Sequence, residues 1–300
     1  MNIIKKRRIF YLLSACMIIP GIISFALHGL HLGIDFTGGS RMEFGNVTQL
    51  QKDELQQIIE KTTPVVLIQE KENNEYLVRT NPISQQQNNK IVASIQEKDK
   101  NAKQLSFETI GATIGSETTH KAFLAVLIAS LMITGYIAYV FREVSKPLAS
   151  WKYGVAAVVA LLHDVVFVVG VFSILGKIWH VEVDALFITA LLTVMGFSVH
   201  DSIVVFDRIR ENLKKELHLP FEEIVNVSLL ETLNRSLNTS ISTLLVLFTL
   251  LLFSEGTLRW FILALFVGVL SGTFSSLFNA SPLLVTWNNW DQKRKKKLKK

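Results

Sequence analysis

Two His-Asp dipeptides lie inside stretches that are otherwise apolar: His163-Asp164 in YGVAAVVALLHDVVFVVGVFSIL and His200-Asp201 in ALFITALLTVMGFSVHDSIVVF. A carboxylate at the centre of a helix in hydrocarbon costs roughly 3 kcal/mol or more on insertion scales, so it marks an ion path, a proton relay or an interhelical pair. Arg235 opens a further apolar stretch, and Thr239 and Ser242 follow it at i+4 and i+7 on one helix face. An Asp and an Arg on neighbouring helices can pair, which lowers the cost of burying both. Protonating Asp201 would then leave Arg235 unpaired and bias the two helices toward another arrangement, which is a proton switch in physical terms. The plainer alternative is a static ion pair near the membrane interface. For Asp164 two roles stand side by side. It passes protons with His163, a residue type suited to proton relay, or it bonds a Ser or Thr of the fourth or fifth span and holds the bundle together. His200 is either a relay or a bonded neighbour of Asp201. The candidate proton-coupling set is therefore Asp201, Arg235, Asp164 and His163, with His200, Thr239 and Ser242 as a supporting polar face. No nucleophile triad, metal-ligand spacing or cofactor motif stands out, so no catalytic group, metal or cofactor is expected.

These residues need elements to hold them. Six long apolar runs stand out in a chain that is 49% hydrophobic: Ile9–Leu27, Ala122–Phe141, Tyr153–Leu175, Ala185–Phe206, Leu237–Phe253 and Trp260–Leu284. Each approaches or exceeds the ~20 residues needed to cross a ~30 Å hydrocarbon core. Nineteen of the 31 Lys and Arg fall on one side of the alternating spans, among them Lys5–Arg8, Arg142, Lys146, Arg208, Arg210 and the tail Lys293–Lys300. The short loops on the other side carry only Lys177 and Arg259. That asymmetry predicts that both termini are cytoplasmic. The net charge of +6 is then a topology signal and a contact with anionic lipid, and no nucleic-acid partner is inferred from the basic tail. All five Trp lie at or just beyond span ends, as interfacial aromatics do. The lone Cys16 excludes an internal disulfide. The apolar run continues past it, which favours a Cys buried in an uncleaved first span over a lipid-attachment site.

The polar stretch Gly33–Lys121 reads as a separate water-soluble domain. Strand signals at Arg41–Phe44, Val65–Gln69, Tyr76–Arg79 and Leu105–Ile110 alternate with helix signals at Gln49–Lys61 and Ile83–Glu97. Lys71–Asn74 reads as the turn of a hairpin. The order β-α-β-β-α-β predicts a ferredoxin-like sandwich. Gly38-Gly39 follows Asp35 without the Lys-Ser/Thr of a phosphate loop, so it reads as a tight turn into the first strand. In the sixth span, Gly268-xxx-Gly272 and Ser271-xxx-Ser275 form a small-residue face for close packing, placed here at a seam with a partner. The segment 207–233 is amphipathic, and Pro220 starts a helix within it; it either lies along the inner surface or packs under the bundle. The expected architecture is an α-helical integral membrane protein with six transmembrane helices, plus an α+β ferredoxin-like extracytoplasmic domain between helices 1 and 2. The divisions are 1–30 (N-terminus and helix 1), 31–121 (outer domain), 122–287 (helices 2–6, with a cytoplasmic loop at 207–233) and 288–300 (basic tail).

Three strings carry a resemblance: GIDFTGG at 33–39, GFSVHDSIVVFDRIREN at 196–212 and LNRSLNTSISTL at 233–244. With the six-span layout, they resemble the SecF family, the smaller membrane subunits of the SecDF component of bacterial protein export, whose bundle is of the resistance–nodulation–division class. The resemblance implies a proton-driven role in late export across the cytoplasmic membrane. In that family a span-4 Asp and a span-5 Arg are linked to proton conduction, and the matching positions are Asp201 and Arg235. It also implies SecD as an obligate partner, the SecYEG translocon as host, and a translocating polypeptide as substrate. Six spans form half of a twelve-span pseudo-twofold transporter. The rival functions are half of a proton-driven small-molecule exporter and a non-transporting assembly scaffold for the translocase.

Overall fold

Runs of twenty or more apolar residues satisfy their backbone internally as helices, and in the computed structural model they do so. Residues 2–71, 74–141, 148–215 and 218–298 are described. Arg142 and Lys146 of the charge pattern, the middle of the Lys71–Asn74 turn and the last two lysines lie outside them. In chain order the elements are α1 (Arg7–His28), α2 (Ile34–Thr37), β1 (Gly39–Gly45), α3 (Lys52–Glu60), β2 (Val65–Lys71), β3 (Glu75–Thr80), α4 (Gln85–Lys98), β4 (Lys103–Ile110), α5 (Ala112–Val140), α6 (Ser150–Trp179), α7 (Ala185–Lys215), α8 (Phe221–Phe253), α9 (Gly256–Ser275), a π-turn Ser276–Ala280 and α10 (Ser281–Leu298). Six helical stretches are long and apolar enough to cross a membrane: Ile4–His28, Ala112–Val140, Ser150–Trp179, Ala185–Lys215, Phe221–Phe253 and Gly256–Lys297. The chain forms two compact units, Leu32–Phe123 and the remainder.

The helical unit differs from the sequence expectation at its ends. The segment 207–233 is not a separate surface helix. It is the end of α7 and the start of α8, with Pro220 as the N-cap. Phe221, Val225 and Leu229 are buried in the main hydrophobic cluster, so the amphipathic pattern reflects packing under the bundle. Arg208 donates from Nε to Glu231 at 2.7 Å. Asn212 donates to Glu231 at 2.7 Å and to Ser228 at 3.0 Å. These bonds clamp α7 to α8 and account for Arg208 and Asn212 of the DRIREN string. The sixth span does not stop at Leu284. It runs on through the π-turn to Leu298, and Asp291 pairs with Lys152 of α6.

The N-terminus is tied down as well: Asn226 Oδ1 accepts from the Ile3 and Ile4 amides at 2.8 and 3.4 Å. Cys16, expected to be buried in the first span, is instead exposed on α1, on a face that no other helix of the described residues covers. Gly21 and Gly170 let α1 and α6 touch backbone to backbone; a Cβ on Gly170 would lie 2.6 Å from the Gly21 Cα.

The other unit holds one sheet of order β2-β3-β1-β4, antiparallel at every pairing. Met42, Phe44 and Val78 of the strands pack with Leu55, Ile59, Ile91 and Ile95 of α3 and α4. α3 starts at Lys52, later than the Gln49 expected from sequence. The Thr48 and Gln49 amides instead donate to Asp99 Oδ2, at 2.6 and 2.7 Å, and Asn46 sits at φ +56°. The two glycines after Asp35 are required by the backbone. Gly38 has φ +70° and Gly39 +130°, and a Cβ on Gly38 would lie 2.8 Å from the Ala112 Cα.

Burial pushes the Asp99 carboxyl up, but the amides of Gln49, Asn101 and Thr48 outweigh it and hold it below the usual carboxylate range. A carboxyl held below its unfolded-state value stabilises the fold above about pH 4. That contribution is lost as pH falls through the folded value. Asp99→Asn should therefore speed hydrogen exchange at the Thr48 and Gln49 amides by about tenfold at neutral pH. The difference from wild type should vanish in acid.

Candidate functional site

The carboxylate of Asp164, on α6, is 1% exposed and is surrounded by hydroxyls. Ser198 of α7 donates to Oδ2 at 2.6 Å. From α9, Ser271 donates to Oδ1 at 2.7 Å and Ser275 to Oδ2 at 2.7 Å. His163 Nδ1 lies 3.0 Å from Oδ1. Three helices therefore converge on one carboxyl group. Ser271 and Ser275 are one turn apart, which puts both hydroxyls on the same face of α9. Gly268 and Gly272 clear the approach. A Cβ on Gly268 would lie 2.2 Å from Val194 Cγ2, and one on Gly272 would lie 3.1 Å from Ser198 Cβ and 3.6 Å from Asp164 Oδ2.

The sequence placed that small-residue face at a seam with a partner. The structure corrects this: the seam is internal, between α9 and α7. It also shows that the hydroxyls on Asp164 come from the fourth and sixth spans, where the fourth or fifth was expected.

A second set of bonds runs along the same seam. Ser202 donates to Ser276 Oγ at 3.0 Å, and Ser276 donates to the Ser198 carbonyl at 2.9 Å. Ser276 opens the π-turn. Such turns add one residue to a helix and recur at functional sites; here the turn begins at the second of two adjacent inward serines, Ser275 and Ser276. Thr273 ties α9 to α8 through Ser240 at 2.7 Å.

Asp201, between Ser198 and Ser202 on α7, is 3% exposed. Its Oδ2 is buried and has no hydrogen-bond partner among the described residues. The Asp201–Arg235 pair expected from sequence is not formed: no ion pair joins them among the described residues. Arg235 and His200 are both exposed on the outer surface of the helical unit. Thr239 and Ser242 share that exposed face, and their hydroxyls donate back to the Arg235 and Asn238 carbonyls at 3.0 and 2.8 Å. The face of α8 turned inward is Thr232, Ser236 and Ser240. Periodicity put Arg235, Thr239 and Ser242 on one face, but it could not say which way that face turned. Sequence reasoning missed Ser198, Ser271, Ser275 and Ser276 as donors. The signal was present in Ser271-xxx-Ser275, which sits at helical spacing in an apolar run.

Among the described residues no group of three or more His, Cys, Asp or Glu side chains is placed to hold a metal ion. The arrangement can hold one carboxylate rigidly and leaves a second buried with an open valence.

Filling the α7–α9 seam should be costly. Gly268→Val should lower the stability of the purified chain by about 1–3 kcal/mol. Gly196→Val, where nothing lies within 4 Å, should cost much less. Thermal unfolding in detergent compares the two.

Relatives share this layout. The family described as protein export membrane protein SecD/SecF, C-terminal, matches residues 90–290, and the SecD/SecF GG motif matches residues 23–45. A protein translocase subunit SecF from Thermobaculum terrenum is 44% identical over 303 residues, covering 97% of this chain and 95% of the relative. The protein translocase subunit SecDF of Bacillus subtilis is 34% identical, and the match covers 97% of this chain but 38% of that longer protein. The crystal structure of SecDF from Thermus thermophilus, a translocon-associated membrane protein, matches with a TM-score of 0.83 at 34% identity, over 96% of this chain and 39% of that one. With a family match over most of its length and a near full-length relative at this identity, the chain belongs to the SecD/SecF family of protein export membrane proteins.

Proposed function

We propose that this chain is an auxiliary subunit of the Sec protein-export machinery. In this reading it works with a SecD-type partner beside the SecYEG translocon and uses the proton motive force to promote late steps of polypeptide translocation. One observation carries the reading: a buried carboxylate oxygen, Asp201 Oδ2, has no partner among the described residues, while Arg235, His200, Thr239 and Ser242 face outward from the bundle. Polar side chains on the outside of a membrane bundle are costly unless another protein surface or a water-filled path covers them. The centre is half-built within this chain, and a second six-span half laid against α7 and α8 completes it. The relatives in which SecD and SecF form one longer chain support such a pairing.

Proton exchange on Asp201 changes its attraction to Arg235 and biases α7 against α8. Asp164 and His163 supply the second charge of the coupling centre. The Leu32–Phe123 unit, with its β-α-β-β-α-β order and antiparallel sheet, is assigned the ferredoxin-like fold and placed outside the cytoplasmic membrane of a bacterium. Both termini are then cytoplasmic, and the basic end of α10 lies near anionic headgroups. Movement of the outer unit, driven from Asp201, would draw on the emerging polypeptide.

The test is completion of export in inverted membrane vesicles, with a proton gradient imposed or collapsed and matched levels of assembled complex. Asp201→Asn should lose the gradient-stimulated component and keep the gradient-independent rate. A variant that responds to the gradient as wild type does would sink the proposal and favour a scaffold.

A further inference from the structure

The two buried carboxylates of the bundle are equally hidden and oppositely satisfied. A carboxylate offers about four lone-pair sites. In Asp164 all four are taken: Oδ1 by Ser271 and His163, Oδ2 by Ser198 and Ser275. In Asp201, Oδ2 meets no donor among the described residues.

We propose that Asp164 is a positioning residue that stays ionised while Asp201 exchanges the proton, a four-donor pin that joins α6, α7 and α9 behind the coupling group. The proposal rests on the assignment of Asp201 as that group.

A protonated Asp164 would need one of its four partners to turn from donor to acceptor. The Ser198 and Ser271 hydroxyls have no second acceptor among the described residues, so turning either one strands its hydrogen in the core. Ser275 alone has an alternative, the Gly272 carbonyl at 3.2 Å. If His163 accepted at Nδ1, its ring hydrogen would move to Nε2, which is buried without a partner. With the hydrogen on Nδ1 the ring donates to Asp164 and buries only a lone pair. The donor set therefore suits a charge.

The groups facing Asp164 agree with this. Its own helix brings His163, α9 brings Ser271 and Ser275, and α7 brings Ser198, with His200 and Asp201 one turn further on. Among the described residues no lysine or arginine pairs with it, so hydroxyls rather than a cation hold it.

The pin reaches Asp201 mechanically. Ser198 is fixed at both ends, its hydroxyl on Asp164 and its carbonyl under Ser276. Ser276 also takes the Ser202 hydroxyl. Asp201 lies between these two anchored serines. The chain of bonds ends on a carbonyl oxygen, so it does not carry protons from one carboxylate to the other. It fixes the stretch of α7 on which Asp201 sits.

Infrared difference spectra between acid and neutral pH, recorded on the full chain in lipid vesicles, separate the two carboxyls. The expected result is one high-frequency carboxylic acid band, that of an acid without hydrogen bonds, lost in Asp201→Asn and retained in Asp164→Asn. Loss of the band in Asp164→Asn overturns the pin. A band that survives both substitutions overturns the assignment of Asp201 and leaves the ionised Asp164 standing, so the two failures are distinct. Should Asp164→Asn fail to fold, Ser271→Ala keeps the charge and removes one donor. It should introduce an additional pH-dependent carboxyl band absent from wild type, and an unchanged spectrum would overturn the role of the donors.

Discussion

The bundle is organised around the need of one buried carboxylate for hydrogen-bond donors. An ionised Asp164 without partners would be among the most expensive groups a membrane helix can carry. Its four donors come from three helices, and each donor constrains its helix. Ser271 and Ser275 set the rotation of α9, Ser198 sets that of α7, and Gly268 and Gly272 set how closely the two approach. In hydrocarbon there is little hydrophobic gain from pressing apolar helices together. Polar bonds and close packing at glycine and serine must supply the specificity. The apolar cluster around Tyr153, Phe141 and Phe206 fills space, and the serine seam decides register.

The same logic explains why the second carboxylate is different. Asp201 shares the burial of Asp164 but lacks its donors, and Arg235 stands on a face that α9 does not cover. A structural salt bridge would have been closed within the chain. Among the described residues no surface closes over the pair, and under the proposed function a partner half does so. The clamp at the far end of α7, from Arg208 and Asn212 to Glu231 and Ser228, holds the helix pair in register. Asp201 and Arg235 thus keep a defined relation without touching. α7 is thus held on one side by the serine seam and leaves a buried carboxylate oxygen without a described partner on the other.

The Leu32–Phe123 unit follows the rules of soluble proteins. Alternating burial in β1 and β3 puts Met42, Phe44 and Val78 under the helices, while Arg41 pairs with Glu108, and Lys71 with Glu43, on the other face. Its deeply buried acidic group, Asp99, is satisfied by backbone amides. That displaced the start of α3 from the place where local capping signals put it. In both units a hidden acidic group recruits donors and so fixes the geometry around it.

Much of this was legible in the residues. Run length and composition determined six spanning helices, because backbone satisfaction in hydrocarbon leaves no other form for twenty apolar residues. Period-two and period-3.6 patterns located the strands and helices of the polar segment, and the cost of burying charge singled out Asp164 and Asp201. The sequence also paired Ser271 with Ser275 and Gly268 with Gly272, because helical spacing is a local property. Only the tertiary structure decided which way each face turned. It sent the serines of α9 to Asp164, left Arg235 outside, and made the Gly-Ser seam internal. Helix rotation is set by contacts between residues far apart in the chain, such as Asp164 with Ser271 and Ser198 with Ser276, and no window of sequence contains both partners.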